Sequence, residues 1–330
     1  MHYEYIFYIK KEKMGNKQPE VYFYVPYADV LQVREDEEKY TYANGIASRR
    51  KFLKSPLNYI GGKYKLLPQL IEFFPDKINT FVDLFSGGFN VGINVDCNKV
   101  VCNDMNTFII DLYKELYSKP IDETLNKITG RINEYGLSKE NEEAFKKFRN
   151  YYNKTKEPID LYTLSCYSFN YQFRFNNNKE YNNPFGRNRS QFSDNMKSNL
   201  ILFTEKLKSM NVEFLSEPFD KVDLSRLNSE DFVYCDPPYL ITTGSYNDGN
   251  RGFKDWKEEE EIQLYKVLDE LNKRKVKFAL SNVIEHKGKE NILLKEWSKK
   301  YKTIYLTSDY SNSSYNTKRD KSIEVLIINY

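Results

Sequence analysis

Thr80-Phe81-Val82-Asp83-Leu84-Phe85-Ser86-Gly87-Gly88-Phe89-Asn90-Val91-Gly92 is the stretch that decides how this chain folds. Its first six residues are apolar on both faces apart from one acid, the pattern of a strand covered on both sides. A glycine-rich turn follows, then a segment read as a helix, then a second strand, Lys99-Val100-Val101-Cys102, closed by Asn103-Asp104. Strand, glycine turn, helix, strand and acid make a βαβ unit, and Asp104 follows Asp83 by 21 residues. That is near the spacing at which an acid meets a ribose hydroxyl in dinucleotide-binding folds. The literal GxGxxG string is absent, because Phe89 takes the third glycine's place, so a purely structural βα turn stays open as an alternative.

Upstream, Leu57-Asn58-Tyr59-Ile60-Gly61-Gly62-Lys63 is a loop opening onto Leu66, Leu67, Leu70, Ile71 and Phe74, which are spaced as a helix and stopped by Pro75. Downstream, residues 108–165 read as helices, and residues 166–195 break into Asn, Arg, Phe, Pro and Gly, as in a hairpin or extended binding loop. Helical spacing resumes at Leu200, Phe203 and Leu207, and strands follow at 212–215 and 232–235. A helix from Gln263 to Lys273, a strand from Lys277 to Leu280 and a final hairpin (303–306 with 323–329) complete the pattern. Strands alternating with helices on both sides of a long insertion predict a doubly wound α/β sheet. The expected division is an accessory extension over 1–50, a catalytic domain from 51–112 and 213–330, and an inserted module over 113–212.

The strand at 232 runs into the chain's most chemical string, Phe232-Val233-Tyr234-Cys235-Asp236-Pro237-Pro238-Tyr239. Pro237 must end the strand, since proline cannot donate to a sheet ladder. Two prolines in a row hold the turn stiff and present Asp236 and Tyr239 at a strand's carboxyl end, where open α/β sheets bind ligands. A carboxylate and the Pro237 carbonyl can both accept hydrogen bonds from an exocyclic NH₂, and Tyr239 can stack on the ring bearing it. This suits a flipped nucleobase whose amino group is modified. An Asp-Pro turn that merely ends a strand is the plain alternative.

Composition narrows the field. Net charge is +3, too small to imply a nucleic-acid partner alone. Locally, Arg49, Arg50, Lys51, Lys54, Lys63 and Lys65 crowd a stretch without acids, and Arg174, Lys179, Arg187, Arg189 and Lys197 form a second basic region. Lys257-Glu258-Glu259-Glu260-Glu261 reads as the solvated start of a helix. The four cysteines lack metal-type spacing and only two histidines are present, so no metal site is expected. No apolar run spans a membrane and no signal segment opens the chain, so a cytoplasmic protein is expected.

With these residues assembled, the chain resembles the Dam-type (D12 class) adenine-specific DNA methyltransferases over residues 53–330, in the family's motif order. Asn58 to Lys63 matches the N-terminal cofactor motif, Asp83 to Gly88 the glycine-rich motif, Asn103-Asp104 the acidic motif, and Asp236-Pro237-Pro238-Tyr239 the catalytic tetrad. Arg174-Phe175-Asn176 and Tyr181-Asn182-Asn183-Pro184-Phe185-Gly186-Arg187 look like the family's DNA-reading hairpin. Two departures stand out: Phe89 replaces a common glycine, and the first 50 residues have no counterpart in shorter members.

The resemblance implies a Rossmann-like sheet with an inserted target-recognition domain, and S-adenosylmethionine as methyl donor, leaving S-adenosylhomocysteine. It implies a cofactor site of Tyr59, Lys63, Asp83, Phe85, Gly87, Asp104, Phe219 and Asp236, with Lys63 toward the methionine carboxylate and Asp104 toward the ribose. Transfer to adenine N6 would use Asp236, Pro237, Pro238 and Tyr239. Arg174, Asn176, Arg187, Phe169 and Asn170 would meet double-stranded DNA, with Arg174 and Arg187 the candidates for reading guanine. Further implied are a nucleoid-associated monomer or weak dimer, and membership of a restriction-modification system with a cognate endonuclease encoded nearby. A cytosine-C5 enzyme would need a nucleophilic cysteine, typically after a proline, and no cysteine here follows one. An enzyme acting on cytosine N4 or RNA, or a DNA-binding regulator without turnover, remains a rival reading.

Overall fold

The computed structural model describes residues 52–242, 256–306 and 322–330, together with two short strands near the N-terminus. Residues Met1–Phe52 form one unit and Leu53–Tyr330 a second. In the first, β1 (Ile6–Tyr8) and β2 (Phe23–Val25) pair antiparallel. The rest of the expected accessory extension, with Arg49, Arg50 and Lys51, lies outside the described residues.

The second unit is built on a sheet of β3 (Thr80–Asp83), β4 (Lys99–Asn103), β5 (Val212–Leu215), β6 (Phe232–Cys235), β7 (Lys277–His286), β8 (Lys289–Glu290), β9 (Lys302–Leu306) and β10 (Ser322–Ile328). The order is β5-β4-β3-β6-β7-β10-β9, with β8 folding back on β7. Along that path the strands from β5 to β7 pair in parallel, and β10 runs antiparallel to both neighbours. The central strands are buried along their length, which is why they read as near-continuous apolar runs.

The helices of this unit among the described residues are α1 (Leu67–Glu72), α2 (Thr107–Ser118), α3 (Ile121–Tyr135), α4 (Glu142–Thr155), α5 (Pro158–Cys166), α6 (Asp194–Lys208), α7 (Glu258–Lys273) and α8 (Ile292–Ser298), of which α2, α7 and α8 pack on the sheet. Leu264, Leu268 and Leu271 of α7 pack on Val82, Val233, Phe278 and Ile327 of the sheet in one apolar cluster. Helices α3 to α6 lie in the chain between β4 and β5. Among them α5 is buried on every side from Ile159 to Cys166 and packs against α2, α3 and α4. Its one acid, Asp160, is answered by Arg131 at 3.0 Å, and Arg131 also donates to the Tyr151 hydroxyl.

Three local expectations differ from what forms. The helix expected after the glycine turn is a single 3₁₀ turn, Gly92–Asn94. Asn90 and Asn94 spend their side chains on the backbone N–H groups of Ser55 and Leu53, at 2.9 and 2.7 Å, in competition with a helical ladder. The strand expected to stop at Leu280 continues to His286, because β10 supplies partners throughout that length. The acidic run is not all solvated: Glu258 and Glu259 are exposed, whereas Glu261 is fully buried. Helical periodicity turns this last acid inward, where side-chain donors meet it.

The chain order of the strands reverses at β3. From there it steps outward to β4 and β5 and then returns to place β6 on β3's other side, Asp83 opposite Tyr234. Such a switch point opens a crevice beyond the carboxyl ends of the strands. Asp83 sits at its floor, 1% exposed. Burial pushes its carboxyl up to about 8; the Gly92 N–H, 3.1 Å away, opposes this, and Asp236 and Asp104 add to it. Since the folded value exceeds the unfolded one, this group's contribution to stability is complete below the ordinary carboxyl range and is lost as pH climbs toward about 8. Asp83→Asn should therefore gain stability relative to the parent as pH rises from about 4 to about 8, read from urea midpoints across that range. A constant difference would refute it.

Candidate active site

At the end of β6, Asp236 is held from both sides. Lys63 Nζ lies 2.8 Å from Oδ2, and the Tyr239 hydroxyl donates to Oδ1 at 2.8 Å. Lys63 is 6% exposed, so it is withdrawn from the solvated basic cluster in which its sequence neighbours place it. Its ammonium also donates to the Gly61 carbonyl at 3.0 Å and lies 5.0 Å from the Tyr239 ring centre. Lysine is thus drawn inward by one carboxylate, one carbonyl and one aromatic face. A carboxylate offers about four acceptor positions, so about two remain on Asp236 for a ligand. Burial pushes the thiol of Cys235, next to this carboxylate, and that of Cys102, near Asp83 and Asp104, far above their usual value, which makes both poor nucleophiles.

The glycine turn after β3 is shaped to lie close under Tyr59. A Cβ added at Gly87 would come within 3.0 Å of the Tyr59 ring, and one at Gly88 within 3.1 Å of its Cβ. Gly87 has φ +46, a left-handed conformation that favours glycine. Its carbonyl accepts from the Tyr113 hydroxyl at 2.7 Å. Phe89, the departure from the glycine pattern, also adopts positive φ, at +56. Its ring is fully buried beneath the turn, against Tyr113 and so close to Gly92 that no side chain fits there. The loop tolerates phenylalanine because the core takes the ring.

Asp104, after β4, reaches across to the same turn: its Oδ2 accepts from Gly87 N–H at 2.9 Å and its Oδ1 from Asn106 N–H at 2.8 Å. Desolvation raises its carboxyl to about 6, with these two donors pulling the other way. Phe85 and Phe219 come together with ring centres 5.5 Å apart. A third ring that the sequence reading missed joins them: Trp256 lies 5.6 Å from Phe85 and 5.5 Å from Phe219. Only its position beside the acidic run hinted at it.

The residues expected to face nucleic acid occupy a compact turn and a hairpin. Phe169, 37% exposed, and Asn170 lie on a tight turn in which Asn170 and Tyr171 both take positive φ, +55 and +56. Three groups hold this strained turn. The Asn58 amide donates to the Asn170 carbonyl at 2.6 Å; the buried Asn183 amide reaches the Phe169 carbonyl at 2.9 Å and the Ser168 hydroxyl at 2.9 Å. Arg189 lies over the Phe169 ring at 4.2 Å and donates to Asn170 Oδ1. Gly186 permits the close approach, since a Cβ there would overlap Ser190. The Asn-Pro-Phe-Gly string therefore builds the scaffold of the turn; from sequence, Asn58 reads only as part of the cofactor motif and Arg189 only as part of the basic region.

Arg174 opens the hairpin, in which Phe175 bridges to Tyr181 and stacks on Phe108 at 4.7 Å. Asn176 organises the tip: its Oδ1 accepts from the N–H groups of Asn178 and Glu180, and its amide donates to the Glu180 carboxylate at 2.8 Å. Arg187 is exposed and pairs with Glu142 at the start of α4.

A family model for the D12 class N6 adenine-specific DNA methyltransferases matches residues 59–312. The chain is 56% identical over 328 residues to the type II methyltransferase M.FokI of Planomicrobium okeanokoites, covering 99% of this chain and 48% of that one. It is 55% identical over 287 residues to the modification methylase StsI of Streptococcus sanguinis, covering 86% and 44%. With the DNA adenine methylase of Escherichia coli K12 it shares 28% identity over 289 residues, covering 86% and 96%. The chain thus spans about half the length of the first two relatives. The match of the family model over residues 59–312, most of the chain, shows that the chain belongs to the D12 class N6 adenine-specific DNA methyltransferase family.

Proposed function

We propose that this chain is a site-specific DNA methyltransferase that transfers a methyl group from S-adenosylmethionine to the N6 amino group of adenine, flipped out of duplex DNA. The observation that carries the proposal is the adjacency of Asp236, on a proline-stiffened strand end, to the glycine turn, Lys63 and Asp104 in one switch-point crevice. The chain's residues fit the cofactor: glycines let the turn lie directly against Tyr59 where a Cβ would intrude, a buried cation stands at Lys63, and an acid stands at Asp104. Tyr59, Gly87 and Phe85 would line its path, Asp83 would support the turn from below, Lys63 would hold its carboxylate, Asp104 its ribose, and Phe219 its adenine. When bound, S-adenosylmethionine supplies an electrophilic methyl group on a sulfonium.

The amino nitrogen of adenine is a poor nucleophile because its lone pair is delocalised into the ring. Asp236 and the Pro237 carbonyl accept hydrogen bonds from its two N–H groups and draw the nitrogen toward tetrahedral geometry, exposing the lone pair; once methylated, the nitrogen sheds one of these protons to solvent. Pro238 fixes the direction of the turn, and Tyr239 stacks on the flipped ring. Positioning and electrostatics then carry the rate, without a covalent intermediate. Flipping costs a few kcal/mol, of which aromatic stacking returns roughly 1–3 kcal/mol. Residues 113–212 serve as the target-recognition domain, with Phe169 and Asn170 entering the gap left by the base. Arg174, Arg187 and Asn176 approach the groove, and Arg187 exchanges Glu142 for DNA. The relatives' names, modification methylase and type II methyltransferase, support a place in a restriction-modification system with a cognate endonuclease as partner.

Labelled methyl transfer to unmethylated DNA, followed by nucleoside analysis, should yield N6-methyladenine; label in N4-methylcytosine or RNA would keep the reaction class and replace the substrate. Asp236→Ala should leave the chain folded, with a melting temperature lowered because the buried Lys63 loses its partner, and cut transfer by at least roughly 10²–10³-fold; near-normal turnover would sink the assignment. On a panel of duplexes differing at single positions, Arg174→Ala should lose about 1–3 kcal/mol of discrimination at one base pair. Uniform weakening across the panel would assign Arg174 to phosphate instead.

A further inference from the structure

The acidic run at the start of α7 contains a carboxylate with an unusual set of partners. Glu261 is fully buried, yet among the described residues those that meet it are neutral. Its Oε1 accepts from the Tyr265 hydroxyl at 2.6 Å, from the Asn282 amide at 2.9 Å and from the Asn291 amide at 3.2 Å. Its Oε2 accepts from one group, the Trp256 indole N–H, at 2.6 Å. Taking a carboxylate out of water is expensive, and an apolar side chain would fill the same space at less cost. What the carboxylate does that an apolar residue cannot is fix the rotation of an indole. Trp256 precedes α7 and lies in no regular element, so without that bond its ring would be free to turn.

The fixed indole closes a triangle with Phe85 and Phe219. All three rings keep part of their surface open, unlike the sheet aromatics Phe81 and Phe232, which are fully buried. Their places in the sheet say what they face. Phe85 follows β3 and Phe219 follows β5, and β4, the strand between those two, is followed directly by Asp104. A nucleoside whose sugar met Asp104 would have its base between the strand ends that carry the aromatic rings.

We propose that Trp256 is a fixed wall of the subsite for the cofactor's adenine ring, together with Phe85 and Phe219, and that Glu261 is the positioning residue that holds the indole there. The proposal rests on the cofactor assignment made above. It separates two jobs: Trp256 touches the ligand, and Glu261 acts only through Trp256.

The chain has two tryptophans, Trp256 and Trp297, so a Trp297→Phe protein reports on Trp256 alone. Titration of that protein with S-adenosylhomocysteine should quench its emission. Calorimetry on the full chain should show Trp256→Ala weakening S-adenosylhomocysteine roughly 10-fold or more. Trp256→Phe, which keeps an aromatic face, should recover most of the affinity. Glu261→Gln turns an amide toward one set of donors; it should weaken the ligand in the parent and have no further effect when added to Trp256→Ala. A Trp297→Phe protein that binds with no quench, or Trp256→Ala binding as tightly as the parent, overturns this inference and leaves the methyltransferase reading standing. Equal weakening by Glu261→Gln with and without Trp256 removes Glu261 from the positioning role. A parent that fails to bind S-adenosylhomocysteine at all overturns both readings.

Discussion

The parallel pairing of β3 with β6 is the constraint on which the rest of the site depends. Asp83 stands opposite Tyr234, so the glycine turn after one strand and the proline turn after the other open side by side. Neither turn could find the other through local sequence, since about half the chain separates them. The register is set instead by burial on both faces: slipping it by one residue would turn every apolar side chain to the wrong layer. Once it is fixed, the loop carrying Tyr59 and Lys63 has a single place to settle, over the glycines on one side and against Asp236 on the other.

That settlement is electrostatic as much as steric. Three carboxyl groups, Asp83, Asp104 and Asp236, line one crevice, and burial there raises the first two, with the neighbouring acids adding to the rise at Asp83. The groups differ in how they live with burial. Asp83 holds its proton through most of the physiological range, Asp104 recruits two backbone N–H groups, and Asp236 takes the lysine. The site thus divides into a neutral floor, a polar shoulder and an ion-paired rim.

Much of this was legible in the residues. Strand identity followed from short apolar runs ended by Gly, Pro or Asp, and the doubly wound sheet followed from the alternation of strands and helices. The helices of residues 108–165 followed from their apolar spacing at the helical period. What failed to show was whatever depends on side chains from distant segments. The 3₁₀ turn at Gly92 arises because Asn90 and Asn94 are captured by Ser55 and Leu53, a competition invisible in a local window. The acidic run looked solvated because charge runs usually are; only packing against Asn282 and Asn291 reveals that its last member is buried. In the Asn-Asn-Pro-Phe-Gly-Arg segment the string was found but its division of labour was not. Asn183 and Gly186 hold a turn whose exposed residues lie elsewhere.

The bond from the Asn58 amide to the Asn170 carbonyl ties the loop that carries Tyr59 and Lys63 to the strained turn bearing Phe169. Those segments are 112 residues apart in the chain, yet one hydrogen bond makes them neighbours. The inserted module is therefore not a cassette. Exchanging residues 166–190 for the corresponding segment of another protein would leave Asn58 pointing at a backbone it was not matched to. The graft would bring its own counterparts of Asn183 and Arg189 but lack the third group that holds the turn in a left-handed shape. Moving this segment intact requires a residue that lies outside it, Asn58.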